Sequence, residues 1–164
     1  MDSDNVIFGP DANLAHYTQN FTKKHLVNMP AFGFCPIHKL FNKEDILRLK
    51  KLHPDAEILV HPECNSEVCG VADFLGSTSK MCRKAKESSA RKFIVATEIG
   101  IIHKMQADRK DAVFIPAYDE AICVNMKLHT LEKLYLSLKN ERYVVKVPAD
   151  TANRARKALE IMLK

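Results

Sequence analysis

Short, nearly all-apolar runs alternate along this chain with stretches whose apolar residues recur at helical spacing. The runs at 6–8, 26–29, 57–60, 93–96, 113–115 and 143–147 are too brief for helices. They lack polar alternation, which predicts strands of parallel sheets covered on both faces. The stretches between them carry helix start signals. Asn42 is placed to cap KEDILRLKKL, which has acids in its first turn and lysines in its last. Thr130 is placed to cap LEKLYLSLK, and Pro148 suits the first turn of a terminal helix. Strands alternating with helices predict an α/β fold with right-handed crossovers.

The pattern also repeats. NVIFGPDANLAHY, HLVNMPAFGFC and AEILVHPE are answered 86 to 88 residues later by KFIVATEIGIIHK, AVFIPAYDEAIC and RYVVKVPAD. Pro30 answers Pro116, Cys35 answers Cys123, and Pro62 answers Pro148. A fixed internal period implies duplicated supersecondary units. We therefore expect two quasi-repeated three-layer αβα units with short parallel sheets, 1–90 and 91–164, the second ending in the terminal helix. Residues 63–91, which include GSTS and a basic helix, have no counterpart after the second copy.

In open α/β sheets ligands bind beyond the carboxyl ends of the strands. Reactive residues follow four of the expected strands, in MPAFGFCPIH, HPEC, ATEIG and FIPAYDEAIC. This predicts a functional rim. Cys35 and Cys123 occupy equivalent exit loops and suit a soft metal centre, zinc or iron–sulfur, although an unpaired cysteine is more often a small buried hydrophobe. His61 and Glu63 flank Pro62, which stiffens the turn between them; they read either as an acid–base pair or as a turn satisfying its own backbone. Gly76-Ser77-Thr78-Ser79 before a helix offers donors to an anion, or is a plain cap. His38 shares the loop of Cys35. Cys69 and Cys82 read as helix core positions, and Cys64 lies near the rim.

Composition narrows the picture. The chain has 164 residues, 46% hydrophobic and 27% charged, with no apolar run near the ~20 residues of a membrane span. The acidic start MDSDNVIF does not read as a secretory signal. Five cysteines at irregular spacing do not form a disulfide framework, so a reducing cytoplasm is expected. The net charge of +5 comes from MCRKAKESSARK and NRARKALEIMLK, which read as solvated helix faces without the aromatic interleaving of a nucleic-acid surface. No nucleic-acid or membrane partner is expected, and some of this charge can draw small anions to a cleft.

Together GFCPIH, HPEC, GSTS, ATEIGIIH and CVNMKLHTLEKLYLSL resemble quinolinate synthase, an NAD-biosynthesis family, in order and over essentially the whole chain. The resemblance implies a fold of three related α/β units about a pseudo-threefold axis. It further implies a [4Fe–4S] cluster held by one cysteine from each unit, with an open fourth iron. The implied reaction condenses iminoaspartate with dihydroxyacetone phosphate. Cys35 and Cys123 match the cluster ligands of the second and third units. His61, Pro62 and Glu63 match the substrate-contacting triplet, with Glu63 as acid–base group. Ser77 and Thr78 match hydroxyls that hold substrate anions, and His38 matches a histidine near the cluster. Cys64 belongs to the motif without matching a ligand.

The chain begins where the family's second unit begins. The first unit is expected to be absent, with its cysteine, its substrate-binding histidine and serine, and a tyrosine and asparagine. A separate first-unit polypeptide, or a second copy of the chain, would then complete it. The alternatives are a truncated, catalytically inert remnant and a non-catalytic metal- or partner-binding module.

Overall fold

In a computed structural model describing residues 3–163, the apolar runs become short parallel strands joined by helices. β1 (Asn5–Phe8), α1 (Ala12–Gln19) and β2 (His25–Asn28) build a two-stranded sheet with Asn5 opposite His25 and Phe8 opposite Asn28. A single 3-10 turn (His38–Leu40) and α2 (Lys43–Leu52) lead to β3 (Glu57–Val60). There follow α3 (Ser66–Cys69), β4 (Phe74–Leu75), α4 (Thr78–Glu87), β5 (Lys92–Ala96), α5 (Gly100–Asp108) and β6 (Val113–Pro116). These last four strands form a parallel sheet in the order β4-β3-β5-β6. Residues 4–123 are one compact unit. The chain from Val124 belongs to another and carries α6 (Val124–Lys127), α7 (Leu131–Asn140) and α8 (Ala149–Met162).

Strand side chains alternate between two cores. Ile58, Val60, Ile94 and Ala96 pack with Ile46 of α2 and Val68 of α3. Leu59, Phe93 and Val95 pack with Met81 and Ala85 of α4 and Met105 of α5. Helices on both faces explain why β3 and β5 read as unbroken apolar runs. The α/β class with short parallel sheets is therefore as the sequence predicts. Asn42 caps α2 by accepting the Glu44 N–H at 2.7 Å, and Thr130 caps α7 by accepting the Lys133 N–H at 3.2 Å.

The first two segments of the repeat recur in the fold, since β1–α1–β2 and β5–α5–β6 share one topology. The third does not. Residues 143–147, expected as a strand, form no strand or helix and are exposed, Tyr143 by 90%. β-branched and aromatic residues favour a strand only where a neighbouring strand and a buried face receive them. β4 escaped the sequence reading because two residues are too few to establish a pattern. β3 and β5 pair directly, Ile58 opposite Ile94, so one sheet takes strands from both sides of residue 90.

Candidate functional site

Parallel strands in register end together, and the turns beyond them form a rim. Val60 faces both Leu75 and Ala96, and the His61 N–H continues the ladder to the Ala96 carbonyl at 3.2 Å. His61-Pro62-Glu63, Gly76-Ser77-Thr78 and Thr97-Glu98 therefore leave the sheet side by side. The cysteine loops follow β6 and, from the two-stranded sheet, β2.

Three expected residues meet there. His38, 7% exposed, sits on the 3-10 turn with Nδ1 2.9 Å from Glu63 Oε2 and Nε2 2.9 Å from Thr97 Oγ1. Its ring stacks on that of His61, with centroids 4.3 Å apart and planes 7° from parallel. His61 Nδ1 accepts the Glu63 N–H at 3.3 Å and lies 3.9 Å from Glu63 Oε2. These contacts assign the tautomers. A neutral His61 that accepts at Nδ1 carries its proton on Nε2, whereas His38 donates from Nδ1 to the carboxylate and accepts the Thr97 hydroxyl proton at Nε2. Asn13 of α1 holds the turn from behind, donating Nδ2–H to the Glu63 carbonyl at 3.0 Å.

Burial opposes charge on both rings. It pulls His38 below the usual imidazole range, against the field of Asp11. Burial and the neighbouring His38 bring His61 down to about 4, against Glu63 and Asp11. Both imidazoles are neutral near pH 7.

Cys35 Sγ belongs with His38 and Glu63 to a group of donor atoms all within 4.8 Å of one another. Cys123 is outside that group. Both cysteines are half-buried and unpaired, and they share one setting. The Cys35 N–H donates to Asp11 Oδ2 at 2.9 Å, and the Cys123 N–H to Glu98 Oε1 at 3.4 Å. Gly33 allows the first of these loops its close approach, because a Cβ there would lie 1.8 Å from the Pro10 carbonyl oxygen. Cys64 is 1% exposed, burial pushes its thiol up, and its S–H points to the Ala96 carbonyl at 3.8 Å. Cys69 on α3 and Cys82 on α4 are half-buried, each packed against one of the two cores.

Ser77 and Thr78 are exposed at the end of β4, and the Ser77 side chain does not cap α4. Pro62 is buried and lines, with Cys64, Asn13, His16 and Asn28, a hollow of about 590 Å³ behind the turn. Thr97, Asp11 and Glu98 were missed by sequence reasoning. A lone hydroxyl or acid between a strand and a helix reads as an ordinary cap. The available signal was an acid 24 residues before one loop cysteine and 25 before the other.

Known proteins point to one family. The family model described as "NadA: Quinolinate synthetase A protein" matches residues 1–164. The quinolinate synthase of Methanothermobacter thermautotrophicus is 46% identical over 164 residues, all of this chain and 54% of that protein. Those of Pyrococcus furiosus and Methanocaldococcus jannaschii are 45% and 40% identical, over 53% and 55% of their lengths. The chain spans about half the length of these curated relatives. A family match over residues 1–164, with relatives 40–46% identical across the whole chain, places the chain in the quinolinate synthase family.

Proposed function

We propose that this chain supplies one half of a cytoplasmic quinolinate synthase that condenses iminoaspartate with dihydroxyacetone phosphate in NAD biosynthesis. The observation that carries the proposal is the His38–Glu63–His61 group with Thr97 at the shared strand ends, supported by the relatives' names. Glu63 is the proton carrier. His38 Nδ1–H and the Thr97 hydroxyl behind it fix one carboxylate oxygen, while Asn13 and His61 Nδ1 fix the Glu63 backbone. His61, its proton on Nε2, donates to a substrate oxygen without bringing a positive charge into the site. Pro62 sets the angle between the two side chains. Ser77 and Thr78, one strand away, offer hydroxyls to an anionic group.

The donor chemistry fits a [4Fe–4S] group in part. Two half-buried thiols on equivalent loops, Cys35 and Cys123, would hold two of its irons, and this chain shows no equivalent third loop among the described residues. When bound, the cluster supplies a Lewis-acidic iron that polarises a substrate oxygen.

Large apolar side chains are uncovered where further polypeptide would pack. From Val124 on, no described residue is buried, and Leu131, Leu138, Tyr143 and Val145 are each more than two-thirds exposed. A second reading has one observation in its favour, the Cys35–His38–Glu63 donor group, which would suit a single metal ion. Both ring nitrogens of His38 are already hydrogen-bonded, which counts against it.

The test is co-expression with the N-terminal half of a relative's enzyme. A brown complex that makes quinolinate is expected, with iron lost in Cys35→Ser and Cys123→Ser but retained in Cys82→Ser. Equal iron in all three variants would refute the ligand assignment. A colourless, inactive complex would point to an inert remnant, and one zinc per chain to the metal-binding reading.

A further inference from the structure

Asp11 and Glu98 are buried carboxylates, 4% and 9% exposed, in equivalent places: each follows the first strand of a repeat and precedes its helix. Each uses its two oxygens in the same way. Asp11 Oδ1 accepts the Leu14 N–H of α1 at 2.8 Å, and Oδ2 accepts the Cys35 N–H. Glu98 Oε2 accepts the Gly100 N–H of α5 at 2.7 Å, and Oε1 accepts the Cys123 N–H. A main-chain rung accompanies each. The residue after the acid donates its N–H to the carbonyl two residues before the cysteine, Ala12 to Gly33 at 2.8 Å and Ile99 to Ala121 at 3.0 Å. A helix start is thus fastened to a cysteine loop twice over, once by backbone and once by a carboxylate, in both copies.

We infer that Asp11 and Glu98 are a duplicated pair of positioning residues, each holding one loop cysteine in a fixed orientation through its backbone N–H. A flexible loop would present its thiol over a range of directions. A charge-assisted bond from the amide of the cysteine itself removes that freedom at the residue where it matters. A helix cap alone would need only one of the two oxygens, so the second oxygen is left for the loop. The fastening is a property of the loops. Its use in aiming thiols at a metal centre rests on the proposed cluster role.

The test reads the loops directly in the full chain without metal, so it can fail while the cluster assignment stands, or the reverse. Asp11→Asn and Glu98→Gln keep one accepting oxygen for the helix start and turn the other toward the cysteine as a donor. Alkylation of each thiol is followed by peptide mass spectrometry, with buried Cys64 as the internal gauge of global opening. Asp11→Asn should raise the Cys35 rate about ten- to a hundredfold and leave Cys123 and Cys64 unchanged, as expected for loss of a bond to a charged group. Glu98→Gln should act on Cys123 alone, and less strongly, its bond being the longer at 3.4 Å against 2.9 Å. Unchanged rates would overturn the inference. So would acceleration of Cys64 in step with the loop cysteines, because the acids would then serve only general stability.

Discussion

β1–α1–β2 and β5–α5–β6 share a topology and a cysteine-loop clamp, yet their strands live in different surroundings. β5 is buried from Phe93 to Ala96, with β3 on one edge, β6 on the other and helices over both faces. β1 has β2 on one edge only, alternates between exposed and half-buried, and leaves Ile7 73% exposed. The difference teaches that strand direction and loop geometry are encoded within each copy, whereas burial depends on neighbours. In the second copy those neighbours come from within 4–123. In the first, β2 is the one strand that pairs with β1 among the described residues.

Truncation is the sharpest way to break this comparison. Ile94→Ala should cost roughly 2–5 kcal/mol in urea unfolding, because a fully buried side chain leaves a cavity. Ile7→Ala should stay within about 0.5 kcal/mol in the isolated chain, as an exposed position does. Equal costs would erase the distinction between the copies. A rise in the Ile7→Ala cost on adding the other half of a relative would identify β1 as the surface that half covers.

Acid attacks the seam where the copies meet, since His38 comes from the first copy, in the loop of Cys35, and Thr97 from the second. The folded pKa of His61, about 4, lies below its unfolded value of 6.5. Its contribution is therefore complete above about pH 6.5 and is lost as pH falls toward 4. Between pH 7 and pH 5 the loss should be about 2 kcal/mol, with His38 acting in the same direction. His61→Asn, whose Oδ1 can accept the Glu63 N–H in place of Nδ1, should flatten that slope. An unchanged slope would remove His61 as its source.

A smaller loss than from Ile94→Ala or from acid is expected at Thr97, 3% exposed. Thr97→Val keeps the shape and deletes the hydroxyl that joins the turn after β5 to the first-copy histidine, at a cost of about 1 kcal/mol. Full stability in this variant would mean the seam does not depend on that bond.

Much of this was legible in the chain. β3 and β5 announce themselves because burial on both faces leaves no polar position in EILV or KFIVA beyond their first residues. The rim was legible because reactive residues follow one apolar run after another. The run at 143–147 has the same local composition without the surroundings, and composition cannot report a missing neighbour. Thr97, Asp11 and Glu98 were hidden for a different reason. Their partners, His38, Cys35 and Cys123, lie 24 to 59 residues away in sequence, and only the fold brings them into bonding distance.

Gly33 gives the duplication a direction. At that rung the second copy carries Ala121, fully buried without strain, whereas the first copy has a carbonyl oxygen where a methyl group would go. Glycine could be written into the second loop at modest expense, but alanine cannot be copied back into the first.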